Sequence, residues 1–154
     1  RELKTNKAIS EIKKLIANPK CRFILFNTWP SKNEYPIQYC YPSSLIDESI
    51  GKEKCCSPTL ESLAQEHKVI NDTYDLVAKE NDLLKSENGN KFYEVRTKYP
   101  EIELYDDESH PNKNGAFLNA CIFYQMLTNK KASNLKYKGD IEPKIAELLK
   151  KIVE

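Results

Sequence analysis

Apolar residues recur at helical spacing from the first turns of the chain. Ala8, Ile9, Ile12, Leu15 and Ile16 stand among lysines and a glutamate, which predicts an amphipathic helix over residues 3–17, stopped by Asn18-Pro19. The pattern then changes. Phe23-Ile24-Leu25-Phe26 puts four apolar residues between polar flanks, the mark of a strand buried on both faces in a parallel sheet. A helix followed by a buried strand is one half of a doubly wound unit. After Asn27-Thr28-Trp29-Pro30 the periodicity dissolves, and residues 30–57 read as a long irregular loop. Its tyrosines (Tyr35, Tyr39, Tyr41) suit stacking on sugar or aryl groups, and they are equally ordinary as loop residues.

Helical spacing returns between Pro58 and Lys79 through Leu60, Leu63, Ile70, Tyr74 and Val77. His67 lies on the same stripe; it is a candidate second functional histidine and, more plainly, a satisfied core residue. Leu83-Leu84 is an ambiguous short strand, Asn88-Gly89-Asn90 a turn, and Phe92 to Tyr99 a short helix ended by Pro100. Residues 112–127 make a helix that is apolar almost all round, so it must be covered on most sides. Residues 140–153 make an ordinary amphipathic helix that Asp140 is placed to cap. Residues 1–154 thus form one domain or part of one. A doubly wound domain needs about five parallel strands, and this chain offers one clear strand and one or two weak ones. Either the fold is mostly helical, or a sheet-forming segment lies upstream. A first residue Arg1 in place of methionine agrees with the second.

Composition removes several classes. With 154 residues, 40% of them hydrophobic, the chain supports one modest core. Lys+Arg 24 against Asp+Glu 23 gives a net charge of +1, with no basic excess to recruit nucleic acid. No apolar run approaches the ~18 residues of a membrane span, and no signal-peptide pattern opens the chain. The five cysteines show no zinc spacing. Cys21, at a strand start, and Cys121, in an apolar helix, read as reduced core residues. Cys40 with Cys55 or with Cys56 can close one loop by a disulfide if the protein is exported, and the cysteines do not settle the compartment.

The chemistry concentrates in Tyr105-Asp106-Asp107-Glu108-Ser109-His110-Pro111-Asn112. Asp107 stands three residues before His110, Pro111 fixes the backbone after it, and Asn112 is placed to cap the apolar helix. An imidazole there stands at a helix mouth with a carboxylate in reach of one ring nitrogen, as a general base of acyl transfer requires. Spacing favours Asp107 over Asp106. The plainer alternative is that Asp107 and His110 only tie down a turn. Asp106, Asp107, Glu108 and His110 share one turn and cannot all face one ion, so neither metal nor cofactor is expected.

Asp107-x-x-His110-Pro111-x-x-x-Gly115, continued by Ala116-Phe117-Leu118-Asn119-Ala120-Cys121, resembles the last conserved block of the SGNH (GDSL-type) serine esterases. Thr28-Trp29, Thr59-Leu60, Gly89 with Phe92, and Pro100 with Leu104-Tyr105 extend the resemblance over most of residues 20–128. It implies the C-terminal part of a three-layer α/β/α, flavodoxin-like domain with few strands of its own. It implies that His110 takes the proton of a serine hydroxyl while Asp107 holds the other ring N–H. The implied substrates are small-molecule or carbohydrate esters carrying O-acyl or O-acetyl groups, in a periplasmic or secreted setting. The family's Gly-Asp-Ser nucleophile block and its glycine and asparagine oxyanion donors cannot be placed here. Ser31, Ser43, Ser44, Ser57 and Ser109 have no strand before them and no Gly-x-Ser context. The isolated chain is therefore expected to be inactive, and to pair with an N-terminal segment or self-associate through its uncovered helix. The reading from a different class is a non-catalytic binding module that keeps the scaffold and uses the tyrosine loop for contact.

Overall fold

The protein's structure, a computed structural model, describes residues 2–46, 51 and 53–154, so part of the expected 30–57 loop lies outside the described residues. The chain divides into two units. One comprises residues up to Leu25 with Glu34–Lys85, the other Phe26–Asn33 with Ser86–Glu154.

In the first unit, α1 (Glu2–Leu15) ends with Lys13 and Lys14 beside its C-terminal carbonyls, where positive charge complements the helix dipole. β1 is only Ile24–Leu25, and it pairs parallel with β4 (Leu84–Lys85) in the register Ile24↔Leu84 and Leu25↔Lys85. The expected four-residue strand buried on both faces is corrected. Both β1 residues are half-buried, Phe26 is exposed, and the ladder extends only as far as β4 runs beside it. Cys21 precedes the strand and is exposed, so it is not a core residue.

The stretch read as irregular contains a hairpin, β2 (Cys40–Pro42) against β3 (Lys54–Cys56), with a 3-10 turn at Ser43–Leu45. Cys40 faces Cys56 across the ladder and Tyr41 faces Cys55. Alternation of side chains along a strand then settles the pairing. Cys56 shares a face with Cys40 and Cys55 takes the other, and the disulfide is Cys40–Cys56.

α2 (Leu63–Asn81) starts later than its apolar spacing predicts. The Ser62 hydroxyl accepts the Gln65 N–H and caps it there, and a left-handed Asp82 (φ 51°) ends it. Its Glu66 is buried and accepts hydrogen bonds from the Tyr35 hydroxyl at 2.6 Å and the Tyr39 hydroxyl at 2.7 Å. Two of the three loop tyrosines therefore spend their polar ends on an internal carboxylate. His67 is only half-buried and meets Asn71 Nδ2 at 3.2 Å, so it is part of a polar group rather than the core.

In the second unit, α3 (Asn88–Lys98) begins inside the Asn88-Gly89-Asn90 run expected to be a turn. Gly89 is needed there for space: a Cβ would stand 2.2 Å from the Thr28 carbonyl oxygen. α4 (Lys113–Thr128) is capped by Asn112, whose Oδ1 accepts the N–H groups of Asn114 (2.8 Å) and Gly115 (3.1 Å). α5 (Pro143–Val153) has proline in its first turn and Glu142 before it, with no side-chain cap; Asp140 lies too early to serve. The all-round apolar character of α4 is answered by α3, α5 and the Ala132–Asn134 turn, which pack around it. Phe92, Val95, Leu104, Leu118, Cys121 and Leu149 are fully buried in this core, each large side chain contributing about 1.5–3 kcal/mol of burial. Among the described residues, helices with two small sheets are compatible with an α/β fold.

Candidate functional site

The turn between Leu104 and α4 is built by its own backbone. Tyr105 and Pro111 face each other in an antiparallel bridge, the Asp106 N–H donates to the His110 carbonyl at 2.9 Å, and the Asn112 N–H donates to the Leu104 carbonyl at 2.9 Å. Gly115 lets the start of α4 sit on this turn, because a Cβ there would lie 2.3 Å from the Leu104 oxygen. The residues between Tyr105 and Pro111 are thus forced outward as a short exposed loop.

Asp107 organises that loop. Its Oδ1 accepts the N–H groups of Ser109 and His110, each at 2.7 Å, and its Oδ2 lies 2.7 Å from His110 Nδ1. These donors, the two backbone N–H groups first and the imidazole next, hold the Asp107 carboxyl well below the usual carboxylate range. Asp107, not Asp106, is the partner of the ring. With Nδ1 engaged, Nε2 has no hydrogen-bond partner among the described residues and points its chemistry outward. The His110 side chain is 79% exposed. Solvent screens the attraction at such exposure, so what the aspartate supplies is orientation rather than energy.

A second layer holds the loop from behind. The Trp29 indole N–H donates to the Ser109 carbonyl at 3.2 Å, and the Lys32 N–H donates to the Glu108 carbonyl at 2.7 Å. Arg96 on α3 donates to the carbonyls of Pro30 (2.9 Å) and Ser31 (3.2 Å) and meets the Tyr105 hydroxyl at 3.1 Å, and that hydroxyl donates to Pro30 O at 2.7 Å. Lys32 and Arg96 carry no signal in the sequence, and Trp29 and Tyr105 enter it only through the family resemblance and the turn's own run, with no partner assigned to either. The hydrogen-bonded pairs are 65 to 80 residues apart, Arg96 with Tyr105 excepted, and no local pattern announces them.

The structure brings Asp107 and His110 together and brings no nucleophile to them: among the described residues no hydroxyl or thiol is hydrogen-bonded to His110. Ser109 shares the loop, but it is tied there by its backbone, its N–H donating to Asp107 and its carbonyl accepting from Trp29. No group of three or more His, Cys, Asp or Glu among the described residues is arranged to hold a metal ion. No helix among them is long and apolar enough to cross a membrane.

No family model matches the chain, and no curated protein matches it. Among solved structures, the fold is similar to that of a DUF4886 family protein from Bacteroides uniformis, with a TM-score of 0.72 at 14% identity. The match covers 97% of this chain and 52% of that one, so this chain spans about half the neighbour's length. Likeness at that identity is one of fold alone. The resemblance to the SGNH/GDSL serine hydrolases, and with it the reading of the chain as the C-terminal part of such an enzyme, is thereby corrected. The physical reason is visible in the loop. Asp-x-x-His before a proline and a capped helix is a spacing that one self-closing turn produces, because Asp107 Oδ1 takes up the two N–H groups that follow it.

Proposed function

We propose that His110, oriented by Asp107, acts as a general base in acyl transfer from O-acyl esters, as the Asp–His part of a Ser–His–Asp-type arrangement whose serine the described residues do not bring to it. Nε2 takes the serine hydroxyl proton as the acyl–oxygen bond forms and returns it to the leaving alcohol. The observation that carries this reading is the 2.7 Å contact between Nδ1 and Oδ2, with Nε2 left facing outward. Turn closure requires only Oδ1; the contact from Oδ2 to the ring is additional to it. The base stands on open surface, which suits large hydrated esters such as acylated or acetylated carbohydrates better than a small apolar ester that needs a closed pocket. The parallel β1–β4 pair supports a three-layer, flavodoxin-like α/β/α arrangement as the scaffold. The Cys40–Cys56 disulfide supports a setting outside the cytoplasm.

The test is turnover of p-nitrophenyl acetate and of O-acetylated sugars by the intact protein. Replacement His110→Ala is expected to lower it by about 10²–10⁴-fold. Equal turnover in wild type and variant removes the assignment. One observation favours the second reading, a non-catalytic binding module: no hydroxyl is hydrogen-bonded to His110 among the described residues. Carbohydrate binding that survives His110→Ala, with no ester turnover in either form, is its signature.

A further inference from the structure

We propose that Trp29 is a positioning residue for His110, acting through the peptide group between Ser109 and His110; this rests on the reading of His110 as a base. The carbonyl of that peptide accepts the indole N–H of Trp29 at 3.2 Å, and its N–H donates to Asp107 Oδ1 at 2.7 Å. A peptide held at both poles has its plane fixed, and each bond polarises the other. The His110 Cα hangs from that plane. Its orientation therefore sets the angle at which the imidazole meets Asp107 Oδ2.

Trp29 is itself immobilised, so it is a reference point for the loop rather than a follower. Its ring stacks on the fully buried Phe92 with centroids 3.8 Å apart and planes 8° from parallel, and Phe26 meets it edge-on at 6.0 Å. The residues after it are clamped by Arg96 through the Pro30 and Ser31 carbonyls. A flat ring that fills this stack and carries an N–H on its rim is specific to tryptophan. Phenylalanine would fill the stack and leave Ser109 without its donor.

The experiment reads the His110 tautomer by ¹⁵N NMR above the imidazole titration. The samples are wild type, Trp29→Phe, and a form with benzothienylalanine at position 29, which puts sulfur where the indole N–H stands. Wild type is expected to be mainly the Nδ1–H form. In both variants the Nε2–H share is expected to rise by about 2- to 10-fold, the span of one lost neutral hydrogen bond. For an O-acetylated sugar, kcat is expected to fall with KM unchanged. A wild type that is mainly Nε2–H overturns the base reading itself. A wild type that is mainly Nδ1–H, with variants that keep its ratio, overturns the role of Trp29 and leaves the base reading standing. If Trp29→Phe fails to fold, the near-isosteric sulfur analogue decides alone.

Discussion

Asp107 divides its carboxylate between two tasks: Oδ1 receives the backbone N–H groups of Ser109 and His110, while Oδ2 meets His110 Nδ1 at 2.7 Å. The division makes the two tasks separable. In Asp107→Asn the amide oxygen can still accept both backbone N–H groups, so the loop keeps its shape. The amide nitrogen then faces the ring and selects the wrong tautomer. We expect kcat for ester hydrolysis to drop by about 10²–10⁴-fold, with the backbone amide spectrum of residues 105–112 nearly unchanged. Wild-type turnover in this variant would mean that the carboxylate serves the turn alone.

The Cys40–Cys56 bond closes a loop of sequence separation 16 across one rung of the β2–β3 ladder. In the chain-entropy account a loop of that size stabilises by about 3 kcal/mol. The double replacement Cys40→Ser, Cys56→Ser should lower the urea midpoint accordingly. Thiol titration of the denatured protein should count Cys21, Cys55 and Cys121 before reduction and all five cysteines after it. In the native protein the exposed Cys21 should react first. Cys121 should react last, because burial pushes its thiol up to about 11 and leaves little thiolate. Five thiols before reduction would refute the disulfide.

Helices were legible in the sequence wherever apolar spacing and a cap coincided, as at Asn112 and α4, and the Asp107–His110 contact was legible because three residues suffice to close it. Other features depend on partners that no window contains. Phe23 to Phe26 signals an apolar segment, yet the length of β1 is decided by how far β4 runs beside it. Asn88-Gly89-Asn90 signals a turn, but its glycine answers to the Thr28 oxygen and the run is helical. Glu66 looks like a surface residue of α2 until Tyr35 and Tyr39 arrive from the preceding loop.

Glu66 also makes a prediction of its own. Replacing it by alanine leaves two tyrosine hydroxyls without their charged acceptor and opens space beneath them. Each hydrogen bond to a charged group is worth about 1.5–3 kcal/mol, so Glu66→Ala should cost several times a typical surface substitution, about 2–4 kcal/mol net. Tyr35→Phe should cost less than half as much, since Tyr39 still serves the carboxylate. Chemical unfolding of the three proteins ranks them. A Glu66→Ala variant as stable as wild type would show that the cluster is not holding the loop to α2.

Gly115 opposes two rules of helix chemistry. Alanine is favoured over glycine inside a helix by up to about 1 kcal/mol, yet a Cβ at this position would lie 2.3 Å from the Leu104 oxygen and 3.0 Å from Phe92. Close approach wins, since backbone and a fully buried ring cannot both yield. Gly115→Ala should destabilise by about 1–3 kcal/mol, and because Leu104 anchors the His110 loop, ester turnover should fall with it. A stabilised variant would show that α4 can lift off the turn freely.

His67 ties stability to pH. Burial first, and the nearby Lys85 charge second, lower its pKa from the ordinary imidazole value. Between that lowered value and about 6.5 the unfolded chain binds a proton that the folded chain refuses. The stability held above about pH 6.5 therefore declines as the pH falls toward the folded value, and the loss is complete below it. Replacing His67 by glutamine, which can still meet Asn71, removes the titration and should flatten this part of the curve. The measurement is urea unfolding at intervals from pH 8 to pH 5, wild type beside His67→Gln. The protein has only two histidines, and His110 is common to both proteins, so a slope present in wild type and absent from the variant belongs to His67. Parallel curves would show that protonation of His67 is no harder in the folded protein than in the unfolded one.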